Sequence, residues 1–161
     1  MYKIGFSKDV HRLEEGRPFI LGGVTLDHYK GAVGHSDADC LVHAISESIL
    51  GALALGDLGK FFPDTDPRYR NYNSLLILKE IWEYAKGKGF DLINLDAMVS
   101  LEQPKLRPFV DQMRQNIAET MQVPIDKISI KATTYEGLSF VGHEEGIICE
   151  AICLLEHELM Y

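Results

Sequence analysis

The apolar positions of the chain switch between two periods, and the switches divide it into elements. From Met1 to His11 polar and apolar residues alternate closely enough to predict a strand. Pro18 to Leu26 reads as a short hairpin turning at Gly22-Gly23, and Tyr29–Asp37, with Gly31 and Gly34, reads as a loop. The period then lengthens. Leu41, Ala44, Ile45, Ser48, Ile49 and Ala52 recur at helical spacing, predicting a helix that starts at Ser36 or Asp37 and runs to about Leu55. A second loop covers Gly56–Asn73. Ser74–Lys88 is predicted as a helix stopped by Gly87 and Gly89, Phe90–Leu101 as a strand, Pro108–Met121 as a third helix and Ile125–Thr133 as a strand with Ile128, Ile130 and Ala132 on one face.

The last predicted strand, from Gly146 to Glu156, differs from the others. Ile147-Ile148-Cys149 and Ala151-Ile152-Cys153-Leu154-Leu155 are apolar on both faces and broken only by Glu150. Such a strand needs cover on both sides. Three helices suffice for one face, so the other is expected to pack against a copy of the same chain. The expected architecture is α+β, a mixed or antiparallel sheet with helices on one face, assembled through its sheets. Spacing alone gives no copy number. No repeat, linker or low-complexity tract interrupts the chain, and a single domain over 1–161 is expected.

Composition narrows the function classes. The 161 residues are 46% hydrophobic and 25% charged, ordinary for a globular domain with a core of its own. A formal charge of −8 argues against general nucleic-acid binding, which needs a basic face, but leaves room for a small phosphorylated ligand held by a metal ion or helix N-termini. The cysteines, Cys40, Cys149 and Cys153, are odd in number and form no close pair, so buried thiols in a reducing compartment are expected. Met1 to Gly5 lacks the apolar run of a signal peptide and no segment is apolar enough to span a membrane. A cytoplasmic location is expected.

Several constellations carry candidate chemistry. In Asp9-Val10-His11, an extended chain points the carboxylate and the imidazole to the same side. With His43 from the following helix they make an Asp/His/His set of the kind that holds catalytic zinc with an open fourth position. The plainer reading, two surface strand residues and a satisfied helix histidine, fits the spacing as well. Asp39, His43 and Glu47 stand one helical turn apart, so they form either carboxylate support for a ligand histidine or a solvated acidic stripe. Gly34-His35-Ser36-Asp37 places a histidine and a serine where a helix begins, a position suited to an anion or simply to capping. Lys131 to Glu136 offers two threonines and a carboxylate for phosphate and a hard cation, although Thr-Thr pairs are also common β-formers. Pro104-Lys105-Leu106-Arg107-Pro108 adds cations suited to phosphate.

Taken in order, these segments resemble the 2-C-methyl-D-erythritol 2,4-cyclodiphosphate synthase family of the non-mevalonate isoprenoid pathway. The matching residues are Asp9-Val10-His11, Gly34 to Asp39, His43, Leu55 to Lys60, Phe62 to Pro67, Gln103-Pro104-Lys105, Lys131 to Thr134, Glu136, Phe140 and Gly146 to Ala151. Each is weak alone; the ordered set spans nearly the whole chain. The resemblance implies a homotrimer with active sites between subunits and a small nucleotide-linked substrate, 4-diphosphocytidyl-2-C-methyl-D-erythritol 2-phosphate. The reaction would be a cyclisation that releases CMP.

The same resemblance implies one Zn2+ per subunit on Asp9, His11 and His43, and Mg2+ or Mn2+ on Glu136. His35 and Thr134 would stabilise the transition state. Ser36, Asp57, Leu58, Gly59, Phe62, Pro63, Asp64, Thr65 and Asp66 would surround the erythritol and phosphate end. Leu101, Pro104, Lys105, Leu106 and Arg107, with Ala132 and Thr133, would form the cytidine pocket, and Phe140 and His143 complete the implied contacts. The chain departs from the family pattern at Tyr135, Gly137 and Ser139, where threonine, lysine and glycine are expected. His143 replaces a common arginine, so a phosphate-facing charge there is present only part of the time near neutral pH. Three rival readings accompany this one: a zinc hydrolase of nucleotide diphosphates, a metal-free scaffold, and a fusion with the preceding cytidylyltransferase, for which this length leaves no room.

Overall fold

The computed structural model of the protein describes residues 1–157. Strand β1 (Tyr2–Glu15) is followed by a hairpin of β2 (Phe19–Leu21) and β3 (Val24–Leu26), then by β4 (Lys30–Ala32). Helix α1 (Cys40–Ala52) leads through the short α2 (Leu58–Phe61) to α3 (Ser74–Gly87) and β5 (Phe90–Ser100). Helix α4 (Val110–Met121), β6 (Ile128–Thr133), a single turn α5 (Ser139–Gly142) and β7 (Gly146–His157) complete the order. Five strands form one sheet in the order β4-β1-β7-β5-β6, and the hairpin is separate. Only β5 and β6 run parallel; β7 is antiparallel to both β1 and β5.

Side chains alternate across β1. Gly5, Ser7 and Leu13 point into the core, with Asp9 and His11 partly buried on the same side. The helices α1, α3 and α4 lie on this face, as the sequence predicts, and bury Leu41, Ile45, Ile49, Leu78, Met113 and Ile117 against Leu92, Leu95, Ile128, Ile147, Cys149 and Leu155. Helix α1 sits so close to β1 that a Cβ on Gly5 would fall 1.8 Å from the carbonyl oxygen of Ser48, so no larger residue fits there. The hairpin turns where expected: Gly22 and Gly23 both have positive φ, the conformation a two-residue turn of matching twist requires. Cys40, Cys149 and Cys153 are free and buried.

The opposite face of the sheet is uncovered by the described residues. Tyr2, Ile4, Phe6, Val10 and Ile152 remain exposed on it, with Phe6 at 61%. Strand β7 is therefore apolar on both sides but covered on one, as its pattern anticipates.

Several boundaries differ from expectation. Strand β1 runs four residues past His11, pairing Leu13, Glu14 and Glu15 with β4, which lies in a segment expected to be a loop. Helix α1 begins at Cys40 rather than Ser36 or Asp37, because Ala38 has a left-handed φ of 58° and Asp39 is the cap. Strand β6 begins at Ile128, since Ile125–Lys127 forms a 3-10 turn. No apolar period announces α2 or α5, each four residues long.

Candidate metal centre and adjoining cleft

Strand β1 and helix α1 carry the centre. Asp9 and His11 project from the helix-facing side of β1, two residues apart, and the close packing forced at Gly5 sets His43 of α1 above them. His11 Nε2 lies 2.8 Å and His43 Nδ1 3.4 Å from the same Asp9 oxygen. One ligand atom from each of the three residues falls within 4.8 Å of the others. Among the described residues this is the one such group of three or more.

Each histidine is held from behind. The carbonyl of Val33 can only accept, so the 2.7 Å contact makes His11 Nδ1 the donor and turns Nε2, 2.8 Å from the Asp9 carboxylate, to the side where a metal ion would replace a proton. His43 Nε2 lies between Ser74 Oγ at 2.8 Å and Ser36 Oγ at 3.0 Å. Burial by itself would raise the Asp9 pKa, but the contacts with His11 and His43 hold it well below the usual carboxylate range. Burial would likewise lower that of His11, and the Asp9 carboxylate outweighs it, keeping His11 above its ordinary 6.5. One carboxylate and two imidazoles, each oriented through its other nitrogen, suit a divalent metal ion such as zinc.

The centre opens into a cleft of about 400 Å³. Asp9, His11, His35, Ser36, His43, Leu58, Gly59, Phe62 and Asp64, all proposed from the sequence, line it together with Glu47, read there only as possible support for His43, and with Tyr69 and Ile77, which the sequence did not single out. His35 Nε2 donates to the carbonyl of Asp66 at 2.9 Å. Asp57 caps α2 through Lys60 N, and Asp66 caps the following turn and pairs with Arg68. Pro63 and Thr65 belong to the same segment, Thr65 exposed and Pro63 half-buried.

The remaining candidates lie elsewhere. Asp9, Cys149, Val99 and Ala132 are register partners across four neighbouring strands, which puts Ala132 three strand spacings, about 14 Å, from Asp9. Ala132 and Thr133 lie on that edge strand, with Thr134 and Glu136 just beyond its end, and neither these nor Pro104, Lys105 and Arg107 line the cleft. Leu101 and Leu106 are core residues, 4% and 3% exposed. Glu102 ties this region together: its two carboxylate oxygens accept from Tyr135 N and Gly137 N, each at 3.0 Å, and so grip the chain on both sides of Glu136. Phe140 packs over Gly146 near Val10 and Arg12, and His143 is exposed at the end of α5.

The helix stripe Asp39, His43, Glu47 does not act as a unit. Asp39 turns away to accept Gly22 N, Gly23 N and Val42 N at 2.9, 2.8 and 3.0 Å. Glu47 accepts from Ser7 Oγ at 2.7 Å and Leu58 N at 3.1 Å, which fastens the start of α2 to β1. Neither carboxylate supports His43; two serines do. The spacing gave no hint of Ser74, 31 residues from His43, because a loop brings it there.

Comparison with known proteins agrees with this geometry. The model of the YgbB family matches residues 2–156. The 2-C-methyl-D-erythritol 2,4-cyclodiphosphate synthase of Bacillus cereus (strain ATCC 10987 / NRS 248) is 48% identical over 156 residues, covering 97% of this chain and 99% of that one. Among solved structures, a 2C-methyl-D-erythritol-2,4-cyclodiphosphate synthase in a CDP-bound form superposes with a TM-score of 0.87 at 36% identity, covering 96% of this chain and 100% of that one. The bifunctional IspDF of Campylobacter jejuni superposes with a TM-score of 0.94 at 39% identity over 98% of this chain, which spans 43% of that longer protein. A match over nearly the whole length, to a family model and to relatives of this identity, makes the chain a member of the YgbB family.

Proposed function

We propose that the protein converts 4-diphosphocytidyl-2-C-methyl-D-erythritol 2-phosphate to 2-C-methyl-D-erythritol 2,4-cyclodiphosphate and CMP, a lyase reaction of non-mevalonate isoprenoid biosynthesis. The observation that carries this reading is the convergence of Asp9, His11 and His43 at the mouth of a cleft, in a chain of this family. An oxygen of the 2-phosphate attacks the β-phosphorus of the diphosphate. The bond from that phosphorus to the oxygen bridging to the α-phosphorus breaks, and CMP leaves with the electron pair. Such a transfer needs alignment of the phosphates and relief of their repulsion more than covalent help. A zinc ion on the triad, with magnesium or manganese at Glu136, would supply positive charge against the phosphate oxygens.

The chain's own groups would do the rest. His35 is held by the Asp66 carbonyl and faces the cleft, where it can steady charge on a phosphate. Ser36, Asp57 to Gly59 and Phe62 to Asp66 would enclose the erythritol end. Thr134, Ala132, Thr133 and Leu101 to Arg107 would receive the nucleotide. Because these two groups sit about 14 Å apart in one chain, the complete site would form between copies. The uncovered apolar sheet face supports a homotrimer built through the sheets. No helix among the described residues is long and apolar enough to cross a membrane, and a cytoplasmic enzyme fits this.

Incubating the protein with the diphosphocytidyl substrate, zinc and magnesium, and following products by phosphorus NMR, tests the reading. A cyclic diphosphate with one CMP per turnover is expected. CMP with a linear bisphosphate would mean a hydrolase, and no turnover would mean a binding protein.

A further inference from the structure

His43 meets different surroundings at its two ring nitrogens. Nδ1 faces Asp9 loosely, at 3.4 Å, on the metal side. Nε2 lies 2.8 Å from the hydroxyl of Ser74, the first residue of α3 and fully buried. Both polar groups of Ser74 then go to one carboxylate: its backbone N–H donates to Asp37 Oδ2 at 2.9 Å and its hydroxyl to Asp37 Oδ1. Asp37 Oδ1 also accepts from Asp39 N at 3.1 Å, which fixes the carboxylate in place.

The hydrogen inventory leaves little freedom. A serine hydroxyl has one hydrogen, and a carboxylate can only accept. The Ser74 hydrogen is therefore committed to Asp37, and Ser74 Oγ can meet His43 Nε2 only as an acceptor. We propose that Asp37 and Ser74 form a relay that keeps the hydrogen of His43 on Nε2, so that Nδ1 is presented to the metal as a free base. Both are positioning residues, and the inference rests on the metal-centre reading given above. The relay does for His43 what the Val33 carbonyl does for His11, with the opposite nitrogen turned to the metal side in each case. It also frees Ser36. With the hydrogen on Nε2, Ser36 Oγ at 3.0 Å can only share it as a second acceptor, and its own hydrogen is available to a ligand in the cleft.

Zinc affinity and imidazole tautomer are the readouts, both independent of turnover. Zinc dissociation constants are to be measured on the full chain for the wild type, Ser74→Ala and Asp37→Asn by competition with a chromophoric chelator. Nitrogen-15 NMR of the zinc-free proteins, at a pH where imidazole is neutral, reports which nitrogen of His43 carries the hydrogen. The wild type is expected to show Nε2–H, and both variants to bind zinc roughly 10- to 100-fold more weakly. Asp37→Asn should also move the hydrogen toward Nδ1, because an amide can donate to Ser74 Oγ and turn the serine hydrogen onto Nε2. Wild-type affinity in both variants, or Nδ1–H in the wild type, overturns the relay while leaving the metal centre standing. A wild type that binds no zinc overturns the metal-centre reading itself. If thermal melting shows the variants unfolded, the wild-type tautomer alone decides.

Discussion

At the scale of residues, the proposed metal centre would set protons against a metal ion for the same lone pairs. The Asp9 carboxylate holds His11 above its ordinary 6.5, so the proton that must leave before a metal binds is held more tightly than in a free histidine. Zinc affinity should therefore fall as pH falls, and the loss should begin above 6.5; titrating the zinc dissociation constant against pH checks this. Onset at or below the free-histidine value would contradict it. The Asp-x-His pair was legible because a strand has a period of two and needs no knowledge of the rest of the chain. His43 was legible only as a candidate. Ser74 and Glu102 were invisible, since a serine at a helix start and a glutamate in a loop look the same whether they touch solvent or a site.

At the scale of elements, Asp39 joins three of them. Its carboxylate caps α1 and accepts both glycine amides of the β2–β3 turn, at 0% exposure. Replacing it by alanine leaves three donors without their partner, two of them in the hairpin turn. Asp39→Ala should cost about 1–3 kcal/mol or more, the usual penalty for one buried donor left unpaired, and chemical denaturation measures it. A change below about 0.5 kcal/mol would mean that water replaces the carboxylate. The sequence showed α1, α3, α4 and the long strands because each carries an apolar stripe. It hid the far end of β1, where Leu13 is the one apolar residue from Arg12 to Glu15, and it hid β4, a short strand whose partners Leu13 to Glu15 lie far back along the chain. Asp39 itself fits neither alternative the sequence offered, support for His43 or a solvated stripe, because helical spacing gives a face but not the rotation of a capping residue.

For the molecule as a whole, the sheet divides the chain into a finished side and an open one. Phe6, Ile4 and Val10 stand on the open side, and if the proposed homotrimer packs through it, Phe6→Glu should break that assembly while leaving the helix-covered core intact. Sedimentation of the variant is expected to show monomers, with circular dichroism close to the wild type; an unchanged oligomer would move the interface elsewhere. The sequence announced this face through the two-sided apolar run of β7, a signal that survives because a strand buried by a partner looks like one buried by its own chain. If the proposed homotrimer forms through it, the same face sets a hazard early in the protein's life. A newly folded chain carries a broad greasy surface with nothing on it, and any other chain in that state is as good a target as a correct mate. Encounters between correct mates grow with concentration, but so do the wrong ones, and heat strengthens the hydrophobic pull behind both. Recovery of soluble protein therefore turns on how fast chains find their registered partners, and on a race that is over once the sheet is covered.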